Sequence, residues 1–160
     1  MNNVQALLHH AGFRAAFAAI DAKETTRRFC RHGLDHALDV ARITWILVLE
    51  NARTFDKETV YLAALLHDIG RAENDADHDQ ASVRLAHTLL ADCGLSEAAI
   101  APITTAIGNH RQKNTAIDPT TASLGDLLAL ADKKSRPCYR CVAANDCYWP
   151  EHLKNHSITY

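Results

Sequence analysis

The sequence predicts an all-α fold, a single bundle of about six helices with an irregular tail, and three observations carry that expectation. Alanine and leucine dominate the composition, and both are strong helix formers. No stretch alternates apolar and polar residues for long enough to read as a strand. Glycine and proline, six and four in 160 residues, leave long segments uninterrupted. At this length, with 48% hydrophobic residues, the chain suits one domain with a full core. Residues 1–136 are read as that domain and 137–160 as a cysteine-containing tail packed on it.

The elements follow in order. A first helix is expected over about 4–22, where Leu7, Leu8, Ala11, Ala15, Ala18 and Ala19 have helical spacing and Gly12 is a weak point. Residues 34–51 are apolar around much of the helical circumference, through Leu38, Val40, Ala41, Trp45, Leu47 and Val48, which marks a helix inside a bundle. Asp56 followed by Thr59 predicts a helix start, and that helix runs through seven apolar residues to His67 and Asp68, with Gly70 as its C-terminal cap. After a polar loop over 71–77, a helix carries His78, Ser82, Leu85, Ala86 and Leu89 to Cys93 and Gly94. Ser96 caps the next, through Ile100, Ile103 and Ile107 to His110, with Pro102 tolerated near its start. The last, about 121–133, buries Leu124, Leu127, Leu128 and Leu130 and ends at Asp132 and Lys133.

A formal net charge of -2 gives no excess of Lys and Arg for nucleic acid or an anionic membrane, so small soluble substrates are expected. Met1-Asn2-Asn3-Val4 lacks the basic start of a signal peptide, and the longest strongly apolar stretch, 43–49, is too short to span a bilayer. A cytoplasmic location is therefore expected. In a reducing compartment the five cysteines are read as metal-binding, redox-active or buried rather than as disulfides.

His67-Asp68 is the sharpest chemical signal. An ionisable pair directly after seven apolar residues would be out of water, with Asp68 beside the negative end of the helix dipole. A divalent cation offsets both costs and keeps the imidazole neutral. The alternative is a helix-end pair satisfied by backbone and a nearby Arg. His78-Asp79 is a second such pair, in a polar stretch where Asp79 is read as solvated.

His36 on the buried helix, then His67-Asp68, then Asp132 at the end of another apolar helix, form an ordered set on separate helices. This set, with the motif His67-Asp68-Ile69-Gly70, resembles the HD superfamily of metal-dependent phosphohydrolases over about 27–136. The resemblance implies an HD-type helical bundle and a metal site. His78 and His110 fall where the binuclear branch of that family places extra ligands. The implied set is His36, His67 and Asp132 on one metal, His78 and His110 on the other, and Asp68 bridging. The alternative for His78 and His110 is a surface histidine at a helix end, and His32 and His87 are read as surface or structural.

Mixed His and carboxylate ligands admit Fe, Mn, Co, Ni or Zn. Two carboxylates on two divalent ions leave positive charge that an anionic phosphate balances, and a metal pair generates hydroxide near neutral pH. Arg71 stands where the family often has Lys, and is read as a bidentate phosphate contact that joins Asp68 in catalysis. Arg111, Lys133 and Arg136 rank behind it. Glu73, Asp75 and Asp77 are candidate proton donors that nothing in the sequence separates from solvated loop carboxylates.

Cys138-Tyr139-Arg140-Cys141 and Cys147 form the second signal. Cys30 precedes His36 by six residues and Cys138 follows Asp132 by six, so a shared metal at His36 and Asp132 would start Cys30 and Cys138 close together. A structural zinc, an iron–sulfur cluster and unliganded thiols all remain open. Cys93 is read as a small buried residue.

The expected function is hydrolysis of a phosphate ester or anhydride in a small, nucleotide-like molecule. A similar branch of the family cleaves dinucleoside polyphosphates with the same ligand order; the cyclic-dinucleotide branch resembles this chain less, because Asn109-His110 stands where paired histidines are expected. Two rivals carry the same residues: a mixed-valence di-iron oxygenase and a non-catalytic metal- or nucleotide-binding sensor.

Overall fold

A computed structural model describes residues 1–73, 76–111 and 117–160. Among the described residues there are seven α-helices and no strand, which bears out the all-α expectation. The extra helix comes from the N-terminus: α1 (Asn2–His9) and α2 (Ala11–Lys23) replace the single helix expected there. The break lies at His10, which is extended at φ -66, ψ 128 and whose Nδ1 accepts the Gly12 N–H at 3.1 Å. An N-cap made by this imidazole substitutes for the helical bond. The buried face also differs from the expected one. Val4, Leu7, Phe13, Phe17 and Ile20 go inside, whereas Ala11, Ala15 and Ala18 are exposed, because alanine stabilises a helix on any face.

α3 (Leu34–Glu50) and α4 (Lys57–Leu66) form the centre of the bundle, packed on each other, with α3 also against α7 (Leu124–Lys134). Asp56 caps α4 as predicted, accepting the Thr59 N–H at 2.8 Å. Leu62, Leu65 and Leu66 are almost fully buried, each contributing about 2 kcal/mol by removal from water. α5 (His78–Asp92) packs against α6 (Glu97–Asn109), and α6 reaches both α4 and α7. α5 closes at Gly94, whose φ of +86 suits a residue without Cβ. Ser96 stands at the N-cap of α6, but its side chain makes no capping bond. α7 begins at Leu124, three residues later than expected, because Ser123 and Asp126 form a reciprocal capping box there.

Gly70 is not a helix cap. α4 ends at Leu66, and Gly70 lies in a 3-10 turn, Ile69–Ala72, pressed against the first turns of α5. A Cβ there would stand 2.2 Å from the His78 carbonyl oxygen and 2.4 Å from the Ser82 nitrogen. Glycine is required for close approach of two backbones, which its spacing after the apolar run does not reveal.

The tail consists of three 3-10 turns, Cys138–Arg140, Ala144–Asp146 and Glu151–Leu153. It returns to α7 through Asn155, whose Nδ2 donates to the carbonyls of Lys133, Lys134 and Arg136 at 2.9, 3.1 and 2.9 Å, satisfying part of the open helix end. No helix among the described residues is long and apolar enough to cross a membrane.

α1 is held to α4 by Glu58, which accepts the N–H groups of Asn3 and Val4 at 2.7 and 3.2 Å. Burial opposes the charge, but the Val4 and Asn3 donors outweigh it and lower the Glu58 pKa. A depressed carboxylate stabilises the fold above its unfolded pKa and loses that contribution as pH falls. With the Met1 ammonium also 3.2 Å from this partly exposed carboxylate, Glu58→Gln is expected to cost less than about 1 kcal/mol above about pH 5, a screened difference that closes on acidification. Denaturant melts at several pH values check it; a constant difference down to low pH would contradict it.

Candidate metal centre

Helix ends converge where α3, α4, α5, α6 and α7 meet. His67 follows the last residue of α4 and is 1% exposed. Its Nδ1–H donates to the Ala64 carbonyl at 2.7 Å, three residues back. His110 ends α6 in the same way, with Nδ1–H donating to the Ile107 carbonyl at 2.5 Å. Each bond fixes the tautomer that leaves a lone pair on Nε2. Burial pulls the His67 pKa down to about 4, the nearby Asp68 charge only partly opposing, so this imidazole is neutral at pH 7.

His36 lies in the first turn of α3, opposite the end of α7. Ser135 Oγ donates to the Asp132 carbonyl at 2.7 Å, so it receives its 3.3 Å contact from His36 Nδ1–H. That directs His36 Nε2 toward Asp132 Oδ1, 3.3 Å away. Burial would lower the His36 pKa, but pairing with Asp132 outweighs it and raises it. Burial would likewise raise the Asp132 pKa, yet His36 and His67 bring it to about 2.

Asp68 occupies the middle. Its Oδ1 lies 3.0 Å from His78 Nε2 and 3.9 Å from His110 Nε2; its Oδ2 lies 3.6 Å from His67 Nε2 and 2.9 Å from Arg71 Nε. Burial disfavours this charge, but His67, His78 and Arg71 together hold the carboxyl well below the usual carboxylate range. Among the described residues, two sets bring all their donor atoms within 4.8 Å of one another: His36, His67 and Asp132, and Asp68, His78 and His110. All six residues singled out in the sequence are thus brought together, in two groups of three.

The nitrogens fit a divalent cation. His36 Nε2 and His67 Nε2 are buried with no hydrogen-bond partner, the 3.3 Å approach of Asp132 to His36 being poorly aligned. An orphaned buried acceptor costs about 1–3 kcal/mol, and lone pairs aimed inward beside two carboxylates are what a metal uses.

Arg71 lies inside the site, with Nη2 also 3.3 Å from His78 Nε2. Arg111 donates to the Ala76 carbonyl and to Asp79 Oδ1 at 3.1 and 3.0 Å, so Asp79 is paired rather than simply solvated. Glu73 is paired with Arg84 at 3.2 Å on the surface. Asp77 stands at the N-cap of α5 without a side-chain cap bond, and Asp75 lies outside the described residues. His87 pairs with Glu97 on the surface, as read.

Of the surface and structural roles read for His32, the structural one fits: it is largely buried and faces the site. Its Nε2 lies 3.9 Å from Asp68 Oδ2, and its Nδ1 and backbone N–H are each held at 2.6 Å by Glu24, itself buried. Neither His32 nor Glu24 was legible as a site residue: both belong to a polar connection with no periodicity, and only the overall excess of histidine hinted at them.

A cavity of about 830 Å³ opens over this centre. The described tail contributes Tyr148, Trp149 and His152 to its wall, and Arg27, Arg71, Arg111, Lys133 and Arg136 add positive charge. Arg136 stacks over the Trp149 ring at 3.8 Å, and Phe29 meets Tyr148 edge-on at 5.8 Å. A second cavity, of about 730 Å³, is lined by Cys30, Cys138, Cys141 and Cys147, all unpaired thiols. Cys93 is half-buried rather than buried.

The family model described as "HD domain" matches residues 33–146. A protein of Clostridium beijerinckii named "Uncharacterized protein" is 36% identical over 140 residues, covering 86% of this chain and 85% of its own. No solved structure matches.

Proposed function

The chain belongs to the HD domain family, and from that premise we propose that it is a phosphohydrolase that cleaves a phosphate ester or anhydride of a small, nucleotide-like substrate with metal-activated water. The observation that carries this reading is the pair of donor sets around Asp68, with two buried imidazole nitrogens lacking partners. His36, His67 and Asp132 would hold one divalent ion and His78 and His110 the other, with Asp68 shared. Bound metal supplies hydroxide near neutral pH and stabilises charge on the attacking and leaving oxygens. Fe, Mn, Co, Ni and Zn all suit this donor set.

The protein's own groups have separate tasks. The Ala64 and Ile107 carbonyls keep His67 and His110 in the ligating tautomer. Arg71 balances Asp68 and would donate to a phosphate oxygen, and Arg111 and Lys133 would add attraction for an anion at the rim. A cavity of about 830 Å³ suits a small molecule, and Tyr148, exposed at its wall, would offer an aromatic face to a nucleobase.

The test is turnover of nucleoside phosphates, cyclic nucleotides and dinucleoside polyphosphates by chelator-treated protein reloaded with each metal. Phosphate or nucleotide release that depends on metal is the expected result. Oxygen consumption with iron and no hydrolysis would support the oxygenase rival, and tight binding without turnover the sensor. Arg71→Ala is expected to lower kcat/KM about a hundredfold, the equivalent of one charge-assisted contact, with Arg71→Lys recovering part of it. Equal rates in all three proteins would remove Arg71 from the mechanism.

A further inference from the structure

We propose that Cys30, Cys138, Cys141 and Cys147 form a second, all-sulphur site for a single zinc-type divalent ion, which braces the tail that walls the substrate cavity. The four thiols come from two distant segments, the connection before α3 and the tail after α7, yet they line one cavity and form no disulfide. The Cys138–Arg140 turn, closed by the Cys141 N–H on the Cys138 carbonyl at 3.1 Å, brings both ends of the C-x-x-C together. A second turn, Ala144–Asp146, delivers Cys147.

Arg136 and Lys154 line the same cavity as the four thiols. Four thiolates on a divalent ion carry two negative charges. The Lys154 ammonium is held on the Ala144 carbonyl at 2.9 Å and paired with Glu151 Oε2 at 2.8 Å. The positive charge of Arg136 and Lys154 partly offsets that of the four thiolates. A four-sulphur set selects zinc over the harder ions suited to the His and Asp centre.

The sulphurs line the cavity without closing on a single point. Among the described residues, no three lie within 4.8 Å of one another, so an ion must draw the tail toward Cys30. Cys147 is followed directly by Tyr148 and Trp149, and Cys30 is preceded by Phe29, which packs on Tyr148. Binding at the cysteines therefore sets both sides of the aromatic wall.

This site stands independently of the phosphohydrolase reading, and the test separates them. Full-length reduced protein, stripped by chelator, is titrated with cobalt as the probe. Wild type and Asp68→Ala are both expected to show sulphur-to-cobalt charge transfer in the near ultraviolet, with quenching of Trp149 fluorescence in a Trp45→Phe background. Cys30→Ser and Cys141→Ser are expected to lose both signals. Should these variants fold poorly, release of zinc from wild type by a thiol-specific mercurial, in step with loss of free thiol, reads the same ligation. Absence of the charge-transfer band in folded wild type, acid-labile sulphide with iron, or zinc release independent of thiol modification would each overturn the proposal.

Discussion

Asp68→Ala is expected to abolish metal retention at the helix-end centre and to reduce metal-dependent turnover by about a thousandfold or more, since metal assistance is worth several kcal/mol of barrier. Asp68 faces members of both donor sets: Oδ1 faces His78 and His110, and Oδ2 faces His67. Its removal leaves five nitrogen and oxygen donors with one carboxylate among them, and no bridge. It also removes one partner of Arg71, whose Nε lies 2.9 Å from Oδ2. Asp68→Asn separates the two consequences, because it keeps the shape and a carbonyl oxygen while removing the charge. Elemental analysis with parallel kinetics is the measurement. If Asp68→Ala kept both its metal and its rate, the centre described here would not be the active site.

Gly70→Ala is expected to be among the most destabilising single-methyl changes in the chain, costing about 3 kcal/mol or more. The added Cβ meets backbone, at 2.2 Å from the His78 carbonyl oxygen and 2.4 Å from the Ser82 nitrogen, and backbone cannot swing aside as a side chain can. The Gly70 N–H bond to Ser82 Oγ, at 2.8 Å, is strained by the same displacement. α5 must move away from the Ile69–Ala72 turn, and His78, its first residue, moves with it. Thermal melts should therefore fall together with metal content. Gly94→Ala is the control: its Cβ meets nothing within 4 Å, and the cost is only that of a positive φ, about 1 kcal/mol. Similar melts for the two variants would contradict close backbone approach as the reason for Gly70.

Much of the bundle was legible because helix periodicity and capping are local. Asp56 with Thr59, and the run to Leu66, specify α4 without reference to the rest of the chain. The first helix was misread for a related reason. Alanine supports a helix whether or not it is buried, so its spacing could not identify the inward face, and the imidazole cap at His10 had no apolar pattern to announce it.

The candidate metal-binding residues were legible because burying ionisable groups is costly: His67-Asp68 after seven apolar residues demanded compensation before any neighbour was known. Their order along the chain, by resemblance to a known family, supplied His36, His78, His110 and Asp132. What only the tertiary structure decided was proximity across elements. His32 on Glu24 beside Asp68, Arg71 turned into the site, Gly70 pressed on α5, and Tyr148 and Trp149 as a wall all depend on how separate helix ends meet. Period and propensity act over a few residues, whereas these contacts join segments held together only by the packed core.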